Sequence, residues 1–192
     1  MTKTRLEAFS DGVLAIIITI MVLELKIPHS TEWHALLGIW PTFASYIMSF
    51  IFVGIYWGNH HHTIHTVKRI SGKLIWANMH LLFWLSIIPF STGWMGENHF
   101  AQNTVILYGI NLLLCAVAYW IMQQVISSQH EHSTALIEAL EKQKQKGYIS
   151  LTCYLAAIPA AFIHPLISAG IFVFVAILWV IPDKNIEKVL KD

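Results

Sequence analysis

The chain has 192 residues, of which 56% are hydrophobic and only 12% are charged. This composition excludes an ordinary water-soluble domain, in which charged residues make up about a quarter of the total, and it is typical of an integral membrane protein. The net charge of +1 excludes a strongly basic nucleic-acid-binding protein. The two cysteines, Cys115 and Cys153, lie in apolar segments without the spacing of a zinc site or a disulfide framework.

Six apolar segments are predicted to form membrane-spanning helices, since a hydrocarbon core about 30 Å thick requires about 20 helical residues. The last apolar tract is too long for one span, and Pro165 is predicted to divide it because proline disfavours helix at and before its own position. The hydrophilic stretch after the fourth span is predicted to be a solvated cytoplasmic connector, although part of it could form a short helix at the membrane surface. The predicted spans are residues 5–27, 36–61, 73–94, 103–126, 147–163 and 166–181, and the connector is 127–146.

The first span, RLEAFSDGVLAIIITIMVLELKI, has two different faces. At about 100° per residue, its apolar stripe falls within about 40° of one direction, whereas Asp11 points about 140° away from it. A stripe of this kind usually faces lipid or packs against another helix; alternatively, symmetric copies could form rings that gate a pore by dewetting. The residues of the stripe are Phe9, Gly12, Ile16, Ile20, Leu23 and Ile27.

Asp11 is expected to contact polar groups of neighbouring helices, because an ionised carboxylate inside a membrane costs several kcal/mol unless it is paired or hydrated. Successive spans alternate in direction, so the start of span one, the end of span two and the start of span three lie at one level. The polar residues at that level are Ser10, Asp11, Trp57, Asn59, His60, His61, Asn78 and His80.

This polar cluster has three interpretations. A hydrogen-bond network that locks the helices together is favoured, because it satisfies every group without further assumptions. A transition-metal site would use His61 and His65, one turn apart in HHHTIH, but it lacks a carboxylate or thiol at a matching spacing. A pH-sensing or proton-relay role is the third, because histidine titrates near neutrality.

The remaining sequence contains no phosphate-binding glycine loop, no H-E-x-x-H motif and no T-V-G-Y-G filter sequence. The middles of the spans are nearly free of ionisable residues, which disfavours a coupled transporter. No enzyme activity, cofactor or metal site is therefore predicted.

The distribution of cations predicts the orientation. Six spans place both termini on one side of the membrane, together with the connections after spans two and four. Every lysine and arginine except Lys26 lies on that side. Because cations concentrate in cytoplasmic loops, both termini are predicted to be cytoplasmic.

The string RLEAFSDG, residues 5–12, fits the pattern R-x-x-x-F-S-D and resembles the signature of the transmembrane protein 175 family, potassium channels of animal endolysosomes and of prokaryotes. The similarity continues through VLAIIITIMVLELKIP, YWGNHHHTIH and LIWANMHLLFWLSIIPF. Animal members carry two six-helix repeats. This chain has one, so it resembles the prokaryotic, single-repeat form.

The resemblance implies an all-α membrane protein that assembles as a homotetramer, with the first helix of each subunit lining a central pore for K⁺. It implies that Ile16, Ile20 and Leu23 form the constriction and that Thr19 offers hydroxyls beside it. The signature residues are then structural, and they hold the first helix against its neighbours. These residues are Arg5, Phe9, Ser10, Asp11 and Gly12.

Glu24 lies about 80° from the stripe, near the outer end of the first span. Four copies of this carboxylate could concentrate cations at a pore mouth. It could equally pair with Lys26, and the sequence does not decide between these roles.

The leading hypothesis is a potassium-preferring monovalent cation channel with a hydrophobic constriction, in a prokaryotic cytoplasmic membrane, with its own copies and lipid as partners. The main alternative is a proton-coupled or metal-cation transporter. A membrane scaffold without conductance is a third hypothesis. The transporter would use the histidines His60, His61, His65 and His80.

Overall fold

The computed structural model describes residues 2–67, 69–128 and 134–180, with the side chains of residues 134–142 left aside. All regular secondary structure in this part of the chain is helical. The helices in chain order are α1 Lys3–Leu23, α2 Trp33–Gly38, α3 Trp40–His65, α4 Gly72–Ser86, α5 Ile88–Glu97, α6 Gln102–Ser127, α7 Thr134–Ile163 and α8 Pro165–Val180.

In the part of the chain that the structure describes, five helical segments are long and apolar enough to cross a membrane, and α8 is a shorter apolar helix. The five are Lys3–Leu23, Trp40–His65, Gly72–Glu97, Gln102–Ser127 and Gln143–Ile163.

The first two helices differ in extent from the predicted spans. Helix α1 ends at Leu23 instead of continuing to residue 27, and Pro28 restricts the residue before it to an extended conformation. Helix α3 begins at Trp40 and not at residue 36, because Pro41 occupies the first turn of a helix, where its missing N–H costs nothing. The preceding residues form the separate short helix α2.

The third predicted span consists of α4 and α5, which meet at Ile87. Pro89 lies in the first turn of α5 and cannot donate a backbone hydrogen bond to the preceding turn. The two helices still follow one another across residues 72–97, which together form one membrane-length segment.

The second half of the predicted connector belongs to a helix. Helix α7 begins at Thr134 and continues to Ile163, so residues 134–146 are not a separate linker. Residues 129–133 and 181–192 lie outside the described part of the chain, as does the predicted end of the last span at residue 181. Gln143 is buried, which differs from the predicted solvated connector.

The buried apolar side chains form two clusters. The first joins α1 and α4 to α3 and α6, with Leu14, Leu81 and Met122 among its members. The second joins α7 and α8 to α3, α5 and α6 and includes Tyr108 and Phe172. Helices α3 and α6 contribute to both clusters and therefore connect the two halves of the bundle.

Helices α3 and α5 approach each other most closely at Gly96. A Cβ atom on Gly96 would lie 2.5 Å from Ser45 Oγ and 2.6 Å from Thr42 Cα. The Thr42 contact is with backbone, which cannot move without displacing the helix. Glycine at this position therefore sets the distance between α3 and α5.

We expect Gly96→Ala to lower the free energy of unfolding by about 1–3 kcal/mol, because the added methyl group overpacks the helix contact. Thermal denaturation in detergent measures the loss. Gly54→Ala is the matched control, since a Cβ there meets no atom within 4 Å. Equal transition midpoints for the two variants would contradict the close contact at Gly96.

Candidate functional site

Helix α1 has one face buried in the protomer and one face exposed. It packs chiefly on α3, α4 and α5. The buried residues recur at helical spacing, and they are Leu6, Ser10, Leu14, Ile17 and Met21. The exposed face contains the three predicted constriction residues, with relative exposures of 57% for Ile16, 41% for Ile20 and 79% for Leu23. The protomer thus leaves these side chains available to another surface.

The signature residues divide between the two faces. Ser10 is buried and Asp11 is half-buried, so both lie against neighbouring helices. Arg5, Phe9 and Gly12 are exposed. Ser10 and Asp11 therefore contact neighbouring helices, and the anchoring role of the five signature residues stays a prediction.

Ser10, Asn78 and His60 form a buried hydrogen-bond chain between α1, α4 and α3. Asn78 Nδ2 donates to Ser10 Oγ at 3.0 Å, and Ser10 Oγ donates to the Leu6 carbonyl at 2.9 Å. His60 Nε2 lies 2.6 Å from Asn78 Oδ1. Because an amide oxygen only accepts, this contact requires a proton on His60 Nε2. Asn78 therefore joins the first helix to both of its neighbours.

Asp11 makes a separate contact at the same level of the bundle. Trp57 Nε1 donates to Asp11 Oδ1 at 3.0 Å. The indole ring of Trp57 also stacks on the His61 ring, with centroids 6.5 Å apart. This contact gives the Asp11 carboxylate a hydrogen-bond donor from α3.

Two of the histidines in the predicted cluster, His61 and His80, lie outside the buried hydrogen-bond chain. His61 is exposed and contacts the rings of Trp57 and His65. His80 accepts a hydrogen bond of 2.9 Å from Trp84 Nε1, one turn along its own helix. These two histidines lie at the same depth as the buried chain but contact other partners. The depth of a residue can be read from the sequence, whereas the direction of its side chain cannot.

The exposed histidines do not form a metal site in the residues described. His61 and His65 have ring centroids 5.9 Å apart, but no group of three or more histidine, cysteine, aspartate or glutamate side chains converges within residues 2–67, 69–128 and 134–180.

The end of α1 is tied to α5 by an ion pair. Lys26 Nζ lies 2.5 Å from Glu97 Oε1. The hydrogen bond and the charge of Glu97 raise the pKa of the exposed Lys26 ammonium, so deprotonation of Lys26 requires more alkaline conditions than deprotonation of a free lysine. Among the described residues this is the only ion pair of Lys26; the alternative in which it pairs with Glu24 is not what the structure shows.

Glu24 and Thr19 both lie on the exposed side of α1. The Glu24 carboxylate lies beside α5, where a Cβ on Gly93 would be 3.4 Å from Glu24 Oε2. Thr19 Oγ1 donates to the Ile16 carbonyl at 2.9 Å. Its hydroxyl hydrogen is therefore used within the helix, and the oxygen remains available as an acceptor.

Sequence reasoning missed Glu97 and a second polar cluster. Glu97 lies at the end of the third span, on the side of the membrane where Lys26 follows the first span. Their opposite charges on the same side could have predicted the ion pair. The second cluster joins Gln143 to Tyr119 and Asn59. The predicted connector boundary placed Gln143 in solvent, so no signal pointed to this contact.

Comparisons with known proteins identify the family. The sequence model of the family described as "Endosomal/lysosomal potassium channel TMEM175" matches residues 5–89. A potassium channel of Chryseobacterium sp. (strain P1-3) is 55% identical over 192 residues, which cover 100% of both chains. The chain belongs to the TMEM175 family of channels.

Other TMEM175 relatives agree with the fold. A potassium channel of Chamaesiphon minutus is 30% identical over 90% of this chain and 91% of its own length. The crystal structure of a lysosomal potassium-selective channel TMEM175 homolog from the same organism matches with a TM-score of 0.83 and 26% identity, covering 93% of this chain and 96% of that one.

Membership of the TMEM175 family makes the chain a multi-pass, all-helical membrane channel protein and not an enzyme. The matched residues 5–89 run from α1 into the start of α5. They contain both the exposed stripe and the chain of Ser10, His60 and Asn78.

We expect Asn78→Leu to lower the free energy of unfolding by about 1–3 kcal/mol, because it leaves His60 Nε2 without its acceptor and removes the hydrogen bond that Ser10 Oγ accepts. Denaturation of the purified protein in detergent measures the change. Asn98→Leu is the control, since the exposed side chain of Asn98 donates to the Trp94 carbonyl one turn earlier and not to another helix. A transition for Asn78→Leu as high as that of the control would disprove the anchoring role.

Proposed function

We propose that the chain forms a potassium-preferring monovalent cation channel, a homotetramer whose central pore is lined by α1. Ile16, Ile20 and Leu23 form the constriction. The channel lies in a prokaryotic cytoplasmic membrane with both termini in the cytoplasm. No cofactor takes part, and K⁺ is the permeant ion.

The main support for the proposal is the exposed apolar face of α1. In a member of a channel family, such a face is a candidate pore lining. Leu14 and Ile17 are buried on the opposite face of α1. The hydrogen bonds of Asn78 fix the rotation of the helix. The three constriction residues are therefore exposed on the surface of the protomer, each at 41% or more. Gly12, on the same exposed face, leaves open space around its Cα, which would let copies of α1 approach each other.

The chemistry of the constriction limits its selectivity. Isoleucine and leucine side chains have no oxygen atoms that could replace the hydration shell of K⁺. Discrimination between cations then depends on pore width and on the cost of partial dehydration. K⁺ sheds water more readily than Na⁺, so the proposed channel prefers K⁺ without excluding Na⁺.

The names of the relatives and the charge distribution support the ion and the orientation. The similar proteins of Chryseobacterium and Chamaesiphon are named potassium channels. Lys26 is the one lysine or arginine on the predicted outer side, and this asymmetry supports a cytoplasmic location of both termini.

Glu24 has the position expected of a charge at the outer pore mouth. Its side chain is exposed at the end of α1, while Glu97 is the partner of Lys26. Four carboxylates around an axis would raise the local cation concentration.

Replacing Ile16 by serine tests the hydrophobic constriction. We expect Ile16→Ser to raise K⁺ flux about tenfold if the polar side chain lowers the barrier by about 1.4 kcal/mol, and to reduce the preference for K⁺ over Na⁺. The measurement is cation flux into liposomes that contain the purified protein.

Ile177→Ser is the matched control, because Ile177 on α8 has an exposure of 58% against 57% for Ile16. It should leave flux unchanged. Equal effects of the two substitutions, or a species other than a tetramer in native mass spectrometry, would contradict the proposed pore. Saturable uptake driven by a pH gradient would favour the histidine-based transporter instead.

Replacing Glu24 by glutamine tests the mouth charge. We expect Glu24→Gln to reduce single-channel conductance at about 0.01 M salt, where the Debye length is about 30 Å, and to have no effect near 1 M salt, where it is about 3 Å. Glu32→Gln, another exposed glutamate on the predicted outer side, is the control and should behave as the unmodified protein. A salt-independent effect of Glu24→Gln would argue against electrostatic concentration of cations.

A further inference from the structure

A small internal cavity lies between α3, α6, α7 and α8, in the half of the protomer away from α1. Its volume is about 30 Å³. Aromatic side chains form much of its wall, together with the amides of Asn59 and Gln123. The aromatic residues are Phe52, Tyr56, Tyr119, Trp120, Tyr154 and Trp179.

Three buried polar atoms lack a hydrogen-bond partner in the part of the chain that the structure describes. They are Trp120 Nε1, Gln123 Nε2 and Gln143 Oε1. Trp120 and Gln123 belong to the cavity wall, and Gln143 bonds through its amide nitrogen to the wall residues Tyr119 and Asn59. Gln123 and Gln143 are each only 2% exposed. An unpaired buried group of this kind costs about 1–3 kcal/mol, so these atoms require a partner.

The unpaired atoms belong to a polar cluster that is otherwise satisfied. Gln143 Nε2 donates to Tyr119 Oη at 3.0 Å and lies 3.3 Å from Asn59 Oδ1. Tyr119 Oη also lies 2.9 Å from Thr63 Oγ1. The other end of the Gln143 amide, its Oε1, remains to be bonded, next to a cavity wall formed by Asn59 and Tyr119.

The unpaired atoms determine the class of ligand. Trp120 Nε1 and Gln123 Nε2 are donors, whereas Gln143 Oε1 is an acceptor. A cation would need acceptors on all sides, and an anion would need donors or a positive charge; the cavity lining includes no lysine, arginine or histidine. Water both donates and accepts, and one water needs about 10–15 Å³ of such volume.

We propose that this cavity is a hydration site for about two water molecules, which bond to Gln123, Gln143 and Trp120. The waters complete the polar contact between the cytoplasmic part of α7 and helices α3 and α6. Asn59 of the hydrated cluster is adjacent to His60, which belongs to the hydrogen-bond chain of Ser10, Asn78 and His60. The two polar groups therefore lie next to each other on α3. The site is independent of the ion that the channel conducts.

A density map of the full chain in lipid nanodiscs, at about 2 Å resolution, tests the proposal directly. We expect two discrete peaks, one of them about 2.7–3.2 Å from Gln123 Nε2 and one at the same distance from Gln143 Oε1. An empty cavity, or continuous elongated density typical of a lipid or detergent tail, would overturn the proposal.

Gln123→Met provides a second test, because methionine has a similar size but no donor. In a hydrated cavity the variant loses the adjacent water peak and its thermal midpoint falls by about 2–4 °C. In a dry cavity the variant removes an unpaired donor, so the midpoint would rise, and this result would refute the hydration site. Gln124→Met, at a half-buried neighbour on α6 outside the cavity wall, is the matched control and keeps both peaks.

Discussion

The contact on which the structure depends is the hydrogen-bond chain of Ser10, Asn78 and His60. An amide, a hydroxyl and an imidazole buried among membrane helices must be satisfied within the protein, because lipid offers no hydrogen-bond partner. Only one rotation of α1 brings Ser10 to Asn78. The polar chain therefore fixes which face of α1 is buried, with a precision that apolar side chains alone would not impose.

The exposed stripe follows from this constraint. Once Ser10 is turned toward α4, Leu14 and Ile17 must enter the apolar core, and Ile16 and Ile20 must leave it. Lipid-facing isoleucines occur on several helices, so exposure alone does not make a pore. The exposed isoleucines of α1 differ from Ile177 on α8 in two respects. Buried hydrogen bonds fix the rotation of α1, and the sequence model of a channel family matches this part of the chain.

Much of the helical layout could be predicted from the sequence, because length and hydropathy determine a membrane span. The level shared by Ser10, His60 and Asn78 also follows from alternating span directions. The directions of individual side chains were harder to predict. His80 lies at the same depth as Ser10, His60 and Asn78, but it bonds to Trp84 within its own helix. The end of α1 was also missed, because apolar residues recur as far as Ile27, while Pro28 restricts the backbone before it to an extended conformation.

The sharing of α3 and α6 between two apolar clusters has a mechanical consequence. Helices α7 and α8 belong to the cluster that includes Tyr108 and Phe172, whereas α1 belongs to the other. Because α3 and α6 have side chains in both clusters, a change that repacks the second cluster also displaces helices that pack in the first. A substitution in α7 or α8 can therefore shift α1 through α3 and α6.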